Sequence, residues 1–173
     1  VEVLGGYDFA KKACVLTLSK HKHLVTANKE IVANDIDELT KLARDNKVSF
    51  CYEASVGGAI PIIKNLKELT LVNHIQKIIG ILNGTTNYIL SRISEGMSFE
   101  EALKLAQEKG FAEKDPTADL EGYDMMRKIA ILSDIAWNTK INIYDIKHSS
   151  FSLIHNYDMK KNHQTMKYVC EAF

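Results

Sequence analysis

Cysteine is scarce in this chain of 173 residues, and its three copies, Cys14, Cys51 and Cys170, lie far apart. An odd number without a CxxC pair fits neither a disulfide framework nor a cysteine metal site. The six histidines form no HxxxH or HExxH pair, which argues against a histidine metal site as well. We therefore expect reduced, mostly buried thiols in a cytoplasmic protein.

The sequence also has no net charge, because 22 Lys and Arg residues balance 22 Asp and Glu residues. Such a balance favours no sequence-independent binding to nucleic acid or to an anionic membrane, so we expect neither partner. No apolar run approaches the roughly 20 residues that a membrane helix needs, and no charged-then-apolar leader opens the sequence. A hydrophobic content of 46% with 25% charged residues predicts a folded globular protein.

The first third of the sequence alternates short apolar segments with helical patterns, which is typical of a parallel α/β unit. In such sheets the ligand lies beyond the carboxyl ends of the strands. Gly5, Gly6, Asn28 and Lys29 fall at that edge, where Lys29 is either a solvated lysine or a cation that meets an anionic ligand. The predicted elements are strands Val1–Leu4, Lys22–Thr26 and Val48–Tyr52, a helix over Tyr7–Lys20, and a helix over Ile36–Asn46 capped by Asp35.

The remaining sequence predicts a second lobe in which helices accompany a second sheet. His74–Leu82 is continuously apolar and predicts a central strand that turns into a helix after Asn83. At that turn the backbone N–H groups of Gly84 and Thr85 suit either a simple helix cap or a bound carboxylate. The other predicted elements are helices Ile62–Leu71, Tyr88–Glu95, Phe99–Lys109 with a Ser98 and Glu101 capping box, Leu120–Trp137 and Asp158–His163, and strands Phe151–Ile154 and Met166–Cys170.

The segment Ala106–Lys128 concentrates carboxylates around a loop. Within it Asp124 and Lys128 are four residues apart, so they share one face of a helix, whereas Asp119 either caps that helix or points into a cleft. An isolated pair of this kind is usually a surface ion pair worth under about 1 kcal/mol. Here the helix is apolar around most of its circumference, which predicts a buried lysine with a partner or a chemical role. The five carboxylates are Glu113, Asp115, Asp119, Glu121 and Asp124.

Four segments can now be taken together: VTANK (Val25–Lys29), YEASVGGAIP (Tyr52–Pro61), GILNGTTNYIL (Gly80–Leu90) and AQEKGFAEKDPTADLEGYDMMRK (Ala106–Lys128). In this order and spacing they resemble homoserine dehydrogenases, and the resemblance extends over nearly the whole chain. It implies reversible, NAD(P)-linked interconversion of L-homoserine and L-aspartate 4-semialdehyde, with NADP as the expected cofactor, on the route to threonine, methionine and isoleucine. It also implies a homodimer.

The same resemblance implies an α/β architecture with two domains. Residues 1–53 would be the remnant of a Rossmann-type nucleotide-binding domain, and residues 54–173 a mixed-sheet catalytic and dimerisation domain. No GxGxxG phosphate-binding turn occurs in the sequence, so we expect this chain to be inactive by itself.

The resemblance further implies roles for single residues. Lys128 would be the general acid/base, Asp124 would orient it, and Lys29 would be a second catalytic or cofactor-side lysine. The remaining assignments are Glu113 and Asp119 for the substrate amino group or hydroxyl, Gly84 and Thr85 for its carboxylate, Gly5, Asn28 and Lys29 for the cofactor, and Glu53, Val56, Gly58 and Ile60 for a sodium ion.

Two alternative functions remain open. The chain could be a non-catalytic, dimerising module that binds substrate or an ion. It could also be another semialdehyde-linked NAD(P) reductase, which fits the lysine and the carboxylates but not all four segments.

Overall fold

The computed structural model describes residues 1–151 and 166–173. It has the α/β composition that the sequence predicts. Its elements are α1 Asp8–Ser19, β1 Leu24–Val25, α2 Lys29–Asp45, β2 Phe50–Cys51, a 3₁₀ turn Glu53–Ser55, α3 Ile62–Thr70, β3 Ile78–Gly80, α4 Gly84–Ser94, α5 Phe99–Glu108, α6 Thr117–Leu120, α7 Tyr123–Trp137, a second 3₁₀ turn Ile143–Asp145 and β4 Cys170–Ala172.

The chain divides into two compact units. The first contains Val1–Gln76 and Arg127–Asp145, and the second contains Lys77–Met126 and Ile146–Phe173, so α7 contributes residues to both. The predicted division into family domains at residue 53 is a separate question and stays a prediction. The predicted helix Asp158–His163 and all but the first residue of the predicted strand Phe151–Ile154 lie outside the described residues.

In the first unit, α1 and α2 pack over the parallel pair β1–β2, in which Leu24 is opposite Phe50 and Val25 is opposite Cys51. The parallel arrangement predicted for this part of the chain is confirmed. Burial of apolar side chains spaced four residues apart along α1 explains why that segment is helical. The buried core consists of Ala10, Cys14, Leu18, Leu24, Ile31, Leu39 and Ala43.

The helix predicted to start after Asp35 starts earlier. The side-chain oxygen of Asn28 accepts hydrogen bonds from the backbone N–H groups of Glu30 (3.1 Å) and Ile31 (3.2 Å), so α2 begins at Lys29. Asp35 instead marks a kink, with φ −129° inside the helix. Its carboxylate accepts hydrogen bonds from the Tyr7 hydroxyl and from the Lys11 ammonium, each at 2.7 Å, which joins the kink to α1 and raises the pKa of Lys11.

The buried strand predicted at Val1–Leu4 is wrong. This segment makes one parallel bridge, between Glu2 and Thr26, and Val1, Val3 and Leu4 are exposed. The buried side chain is that of Glu2, whose carboxylate accepts hydrogen bonds from the Thr26 hydroxyl and the Leu4 backbone. Satisfying that buried carboxylate sets which face of the segment points inward.

In the second unit, β3 pairs antiparallel with β4, and Ile79 is opposite Glu171. The central strand predicted over His74–Leu82 is wrong in extent, because the regular strand covers Ile78–Gly80 and Ile79 is 60% exposed. The last strand is Cys170–Ala172 rather than Met166–Cys170. A strand's length depends on its pairing partner, which local apolar content does not reveal.

The helices of the second unit are closer to prediction. The capping box of α5 is confirmed, with the Ser98 hydroxyl accepting from the Glu101 backbone and the Glu101 carboxylate accepting from the Ser98 backbone. The helix predicted from Tyr88 begins one turn earlier, at Gly84. The helix predicted over Leu120–Trp137 is interrupted at Gly122, whose φ of +82° ends α6 and starts α7. The buried core comprises Ile89, Leu90, Ala102, Ala106, Ala112 and Phe151.

The cysteines are free thiols with unequal burial. Cys14 is buried, and burial raises its pKa to about 11. Cys170 is partly exposed and Cys51 is exposed, so the prediction of mostly buried thiols is wrong for Cys51. Within residues 1–151 and 166–173, no helix has the length and apolar character needed to cross a membrane.

Candidate active site

A buried asparagine connects two of the predicted acidic residues. The Asn83 side-chain nitrogen donates to the Asp119 carboxylate at 2.6 Å and to the Asp124 carboxylate at 2.9 Å. Asn83 and Asp124 are both buried, and Asp119 is half-buried. The two carboxylates therefore share one donor, and this pair is the part of the acidic segment that the fold brings together.

The oxygen of the same Asn83 amide caps α4. It accepts hydrogen bonds from the backbone N–H of Thr86 at 2.8 Å and from the Thr86 hydroxyl at 2.9 Å. Every polar atom of the Asn83 side chain is therefore engaged. The orientation of the amide is fixed, because its oxygen must face the helix and its nitrogen must face the carboxylates.

The start of α4 is suited to an anion. Helix geometry leaves the first backbone N–H groups without partners inside the helix, and Asn83 satisfies that of Thr86. The N–H groups of Gly84 and Thr85 come just before it, at the positive end of the helix dipole. A Cβ atom at Gly84 would meet nothing within 4 Å, so a ligand has room to approach the backbone there. The Thr85 hydroxyl donates to the Phe111 carbonyl at 2.5 Å, which orients Thr85 by its side chain.

The turn between α6 and α7 sets the positions of the two carboxylates. Gly122 lies between them with a positive φ, and a Cβ atom there would meet the Tyr168 hydroxyl oxygen at 3.0 Å. The Tyr168 hydroxyl forms a hydrogen bond with the Ser149 backbone, and burial raises the pKa of Tyr168. Glycine is favoured here both by the positive φ and by the close approach of Tyr168.

Together these groups make a site with two signs of charge. Two carboxylates lie at one side of Asn83, and the positive end of α4 begins at its other side. Two carboxylates that share one donor form an acidic pair, and such a pair favours a cation beside it. An ammonium group at Asp119 and Asp124 together with a carboxylate at Gly84 and Thr85 would complement both, and a zwitterionic amino acid carries that pair of groups.

The other carboxylates of the acidic segment have different surroundings. Glu113 is exposed, and its backbone carbonyl accepts a hydrogen bond from the Gln107 amide at 3.1 Å. Asp115 accepts from the hydroxyl of Thr117 at 2.5 Å, which lowers the pKa of Asp115. Glu121 accepts from the Ser150 hydroxyl at 3.0 Å. Asn83 thus connects Asp119 with Asp124, whereas Asp115 is bonded within its own turn and Glu121 is bonded to Ser150, 29 positions away.

Asp124 and Lys128 both lie on α7, one turn apart, so the helical spacing places them on the same face. Lys128 is half-buried, which corrects the expectation of a buried lysine. The helix around it is apolar as predicted, since Met125, Ile129 and Ala130 are buried.

Asn28 has a structural role at the predicted cofactor edge of the first unit. Its amide nitrogen donates to the carbonyls of Leu4 (3.2 Å) and Gly6 (2.9 Å), while its oxygen caps α2. Asn28 therefore holds the Gly5–Gly6 loop against the start of α2, and its amide is occupied by the protein itself. Lys29 is the first residue of α2 and is half-buried.

Glu53, which is predicted to bind sodium, also binds the start of α3. The two Glu53 carboxylate oxygens accept hydrogen bonds from the backbone N–H groups of Ile63 (2.7 Å) and Lys64 (2.9 Å), at the start of α3. The Ile60 carbonyl accepts from Ile62 at 2.8 Å. Each of these oxygens keeps a further lone pair, so the donor set still fits a hard cation. No cluster of three His, Cys, Asp or Glu side chains suited to a metal occurs within the described ranges.

Asn83 was not among the predicted site residues, although the sequence contained a signal for it. It follows the apolar segment of β3 directly and precedes Gly84 and Thr85, the position of a helix cap. Its cap role was foreseeable from that position. Its bonds to Asp119 and Asp124 were not, because they join residues 36 and 41 positions apart.

Comparison with known proteins gives a consistent match. The family model for homoserine dehydrogenase matches residues 61–173. The homoserine dehydrogenase of Bacillus subtilis is 42% identical over 173 residues, which is 98% of this chain and 40% of that protein. That of Synechocystis is 46% identical over 147 residues, covering 84% of this chain and 34% of that protein. The chain thus spans well under half the length of these relatives.

Solved structures agree with the sequence matches. The crystal structure of a homoserine dehydrogenase from Thiobacillus denitrificans superposes with a TM-score of 0.89 at 36% identity, covering 98% of this chain and 40% of that one. A hyperthermophilic archaeal homoserine dehydrogenase in complex with NADPH superposes with a TM-score of 0.78 at 26% identity, covering 98% of this chain and 50% of that one.

Proposed function

Because the chain belongs to the homoserine dehydrogenase family, we propose that the whole protein interconverts L-homoserine and L-aspartate 4-semialdehyde with NADP(H). This reaction serves the synthesis of threonine, methionine and isoleucine. A family relative solved with NADPH supports the choice of NADP. Among the alternatives, another semialdehyde-linked reductase is less well supported, because the matched relatives carry the name homoserine dehydrogenase.

The observation that carries the proposal is the arrangement around Asn83. The substrate ammonium would lie beside Asp119 and Asp124, and its carboxylate would meet the backbone N–H groups of Gly84 and Thr85. Glu113 is exposed on the loop between α5 and α6, and it is a further candidate for binding the substrate amino group or hydroxyl. Such two-ended binding fixes the direction of the substrate side chain, which carries the reacting carbon.

Proton transfer is the task that we assign to Lys128. In the oxidation direction its Nζ accepts the substrate hydroxyl proton, and in the reduction direction it returns that proton to the carbonyl oxygen. Asp124, one turn earlier on α7, orients the lysine. A bound nicotinamide supplies the hydride acceptor or donor.

Residues at the edge of the first unit would hold the cofactor. Gly5 and Gly6 leave open space, since a Cβ atom at either would meet nothing within 4 Å. Lys29 stands at the positive end of α2 and would meet the cofactor or act as a second catalytic lysine. Asn28 contributes by fixing the loop, because its amide is already bonded to Leu4 and Gly6.

A sodium ion is a separate part of the proposal. The carboxylate of Glu53 and the carbonyls of Val56, Gly58 and Ile60 would bind it. Thermal unfolding in NaCl and in choline chloride at equal ionic strength tests this, and we expect a higher midpoint in NaCl. Glu53→Gln keeps an acceptor for the start of α3, so loss of the sodium effect in that variant points to the ion. An equal midpoint in both salts contradicts the sodium site.

A homodimer and a cytoplasmic location complete the proposal. The exposed side chains of Ile79 and Ile81 on and beside β3 support an association surface. The free thiols support a reducing compartment. Sedimentation of the whole protein tests the dimer, and fractionation of cells that produce it tests the location.

The test of catalysis replaces Lys128 by Ala in the whole protein. We expect NADP-dependent oxidation of L-homoserine to fall by about 100-fold or more, while the affinity for NADPH stays nearly unchanged. Lys104→Ala on the exposed surface of α5 is the matched control and should retain activity. Turnover near the original value in Lys128→Ala removes this lysine from the mechanism.

A second candidate is a substrate-binding module without turnover. It is favoured by one observation, that Asn83, Asp119, Asp124, Gly84 and Thr85 all belong to the second unit. Calorimetry of this 173-residue chain with L-homoserine, beside a turnover assay of the same sample, separates the two candidates. We expect heat of binding without turnover, and measurable turnover by this chain contradicts that expectation.

A further inference from the structure

A cleft of about 430 Å³ opens in the first unit, and it is lined by residues other than those assigned above. It lies among α2, β2, α3 and the end of α7. Two carboxylates line it, Asp37 from α2 and Asp134 from α7. Its apolar walls come from Ile36, Ala43, Val48, Phe50 and Ile135.

Asp134 is the unusual residue of this cleft. It is only 9% exposed, and one carboxylate oxygen accepts a hydrogen bond from the backbone N–H of Ile141 at 2.7 Å. The other oxygen is buried and has no hydrogen-bond donor among the described residues. A buried carboxylate oxygen without a donor is destabilising, so a fold that keeps it gains from a ligand that supplies one.

The lysines near the cleft donate no hydrogen bond to the second Asp134 oxygen. The Lys67 ammonium lies over the Tyr52 ring, 4.2 Å from its centre, and Lys140 contributes a weaker attraction. Burial raises the pKa of Asp134 to about 6, and the negative charge of Asp37 acts in the same direction. The titratable and charged groups that face Asp134 or line the cleft with it are Asp37, Arg44, Tyr52, Lys67 and Lys140.

The lining selects among cations. The acidic side chains of this lining are Asp37 and Asp134, and the described residues contain no cluster of three acidic, His or Cys side chains that could hold a metal ion. Walls of Ile36, Val48 and Phe50 instead favour a ligand with an apolar body. A primary ammonium group supplies up to three donors to carboxylates and can carry such a body.

We propose that this cleft is a binding site for a small organic ammonium compound, whose ammonium group donates to Asp134 and whose apolar body packs against Phe50 and Ile36. The site is independent of the proposed dehydrogenase reaction, and its test does not need activity.

The test is a titration of the 173-residue chain with benzylammonium chloride near neutral pH, followed by amide NMR shifts. We expect saturable binding with a dissociation constant on the order of millimolar, as is usual for a fragment of this size. The Ile141 amide should shift, because its N–H is bonded to Asp134. Benzyl alcohol has the same shape without the charge, and it should bind at least about tenfold more weakly.

Two controls separate Asp134 from general charge effects. Asp134→Asn should weaken benzylammonium binding about tenfold or more, whereas Glu108→Gln, an exposed charge change on α5, should leave it unchanged. Binding by the unaltered chain should also weaken about tenfold at about pH 5, where the Asp134 carboxyl is protonated. This titration and the benzyl alcohol comparison decide the matter even if Asp134→Asn does not fold. Equal binding of alcohol and ammonium, unchanged binding in Asp134→Asn, or no saturable binding overturns the proposal.

Discussion

Asp124 and Asp134 are buried carboxylates on the same helix, α7, with opposite surroundings. Asp124 accepts a hydrogen bond from Asn83, a side chain that itself is fully bonded. Asp134 uses one oxygen for the Ile141 backbone and has no donor for the other among the described residues. Burial therefore has different consequences for the two carboxylates. The hydrogen bond from Asn83 fixes the position of the buried Asp124 side chain, whereas the incomplete hydrogen bonding of Asp134 makes its buried negative charge unfavourable.

The comparison predicts that the largest effect comes from removing the donor shared by the acidic pair. Asn83→Ala deletes the cap of α4 and the hydrogen bonds to Asp119 and Asp124. We expect the free energy of unfolding to fall by about 3 kcal/mol, about 1 from the cap and about 2 from the carboxylates. Denaturant unfolding of the chain measures this loss.

Two matched variants divide that loss into its parts. Ser98→Ala removes the exposed cap of α5 and should cost only about 1 kcal/mol. Asn83→Ser retains a capping oxygen but cannot reach both carboxylates, so its cost should lie between the two. Equal losses for Asn83→Ala and Ser98→Ala would mean that the hydrogen bonds to the carboxylates contribute nothing.

At Asp134 the comparison predicts that removing the buried charge increases stability. The pKa of this carboxyl rises from 3.8 in the unfolded chain to about 6 in the folded one. Between about pH 4 and pH 6 the folded state therefore binds more protons, and stability falls as pH rises through that window. Asp134→Asn keeps an oxygen for the Ile141 N–H and removes the charge. We expect it to be more stable than the original chain by about 1 to 2 kcal/mol near neutral pH.

The measurement for Asp134 is unfolding as a function of pH. The original chain should lose stability between about pH 4 and pH 6, and Asp134→Asn should lose less over the same range. Asp37→Asn on the facing wall of the cleft is a useful control, because it removes a repulsive charge while Asp134 stays ionisable. Identical pH profiles for the original chain and Asp134→Asn contradict the assignment of this slope to Asp134.

Local sequence signals predicted much of the fold and little of the site. The stripe of Ala10, Cys14 and Leu18 and the capping box of Ser98 and Glu101 act within one or two helical turns, and both are present as expected. The predicted bounds of the strands were wrong, because the extent of a strand depends on a partner that is distant in the sequence.

The site could be predicted only as a list of residues. The acidic segment was recognisable from its composition and from the family resemblance. Its division into a joined pair, Asp119 and Asp124, and separate turn residues such as Asp115 depends on Asn83, which contacts them across 36 and 41 positions. No local pattern contains that contact, because it joins the start of α4 to residues on either side of the turn between α6 and α7.

The smallest expected effect comes from the turn between α6 and α7, and it tests whether the backbone of this turn fixes the position of Asp124. Gly122 and Gly110 both have a positive φ, +82° and +76°, so replacing either by Ala adds backbone strain of about 1 kcal/mol. A Cβ atom at Gly110 meets nothing within 4 Å, whereas one at Gly122 meets the Tyr168 hydroxyl oxygen at 3.0 Å. Gly122→Ala should therefore cost more than Gly110→Ala, by up to about 1 kcal/mol. It should also shift the amide NMR signals of Asn83, because the turn carries both of its carboxylate partners. If the two variants unfold alike and the Asn83 signals stay in place, the turn adapts freely, and Asp124 is fixed by Asn83 rather than by its own backbone.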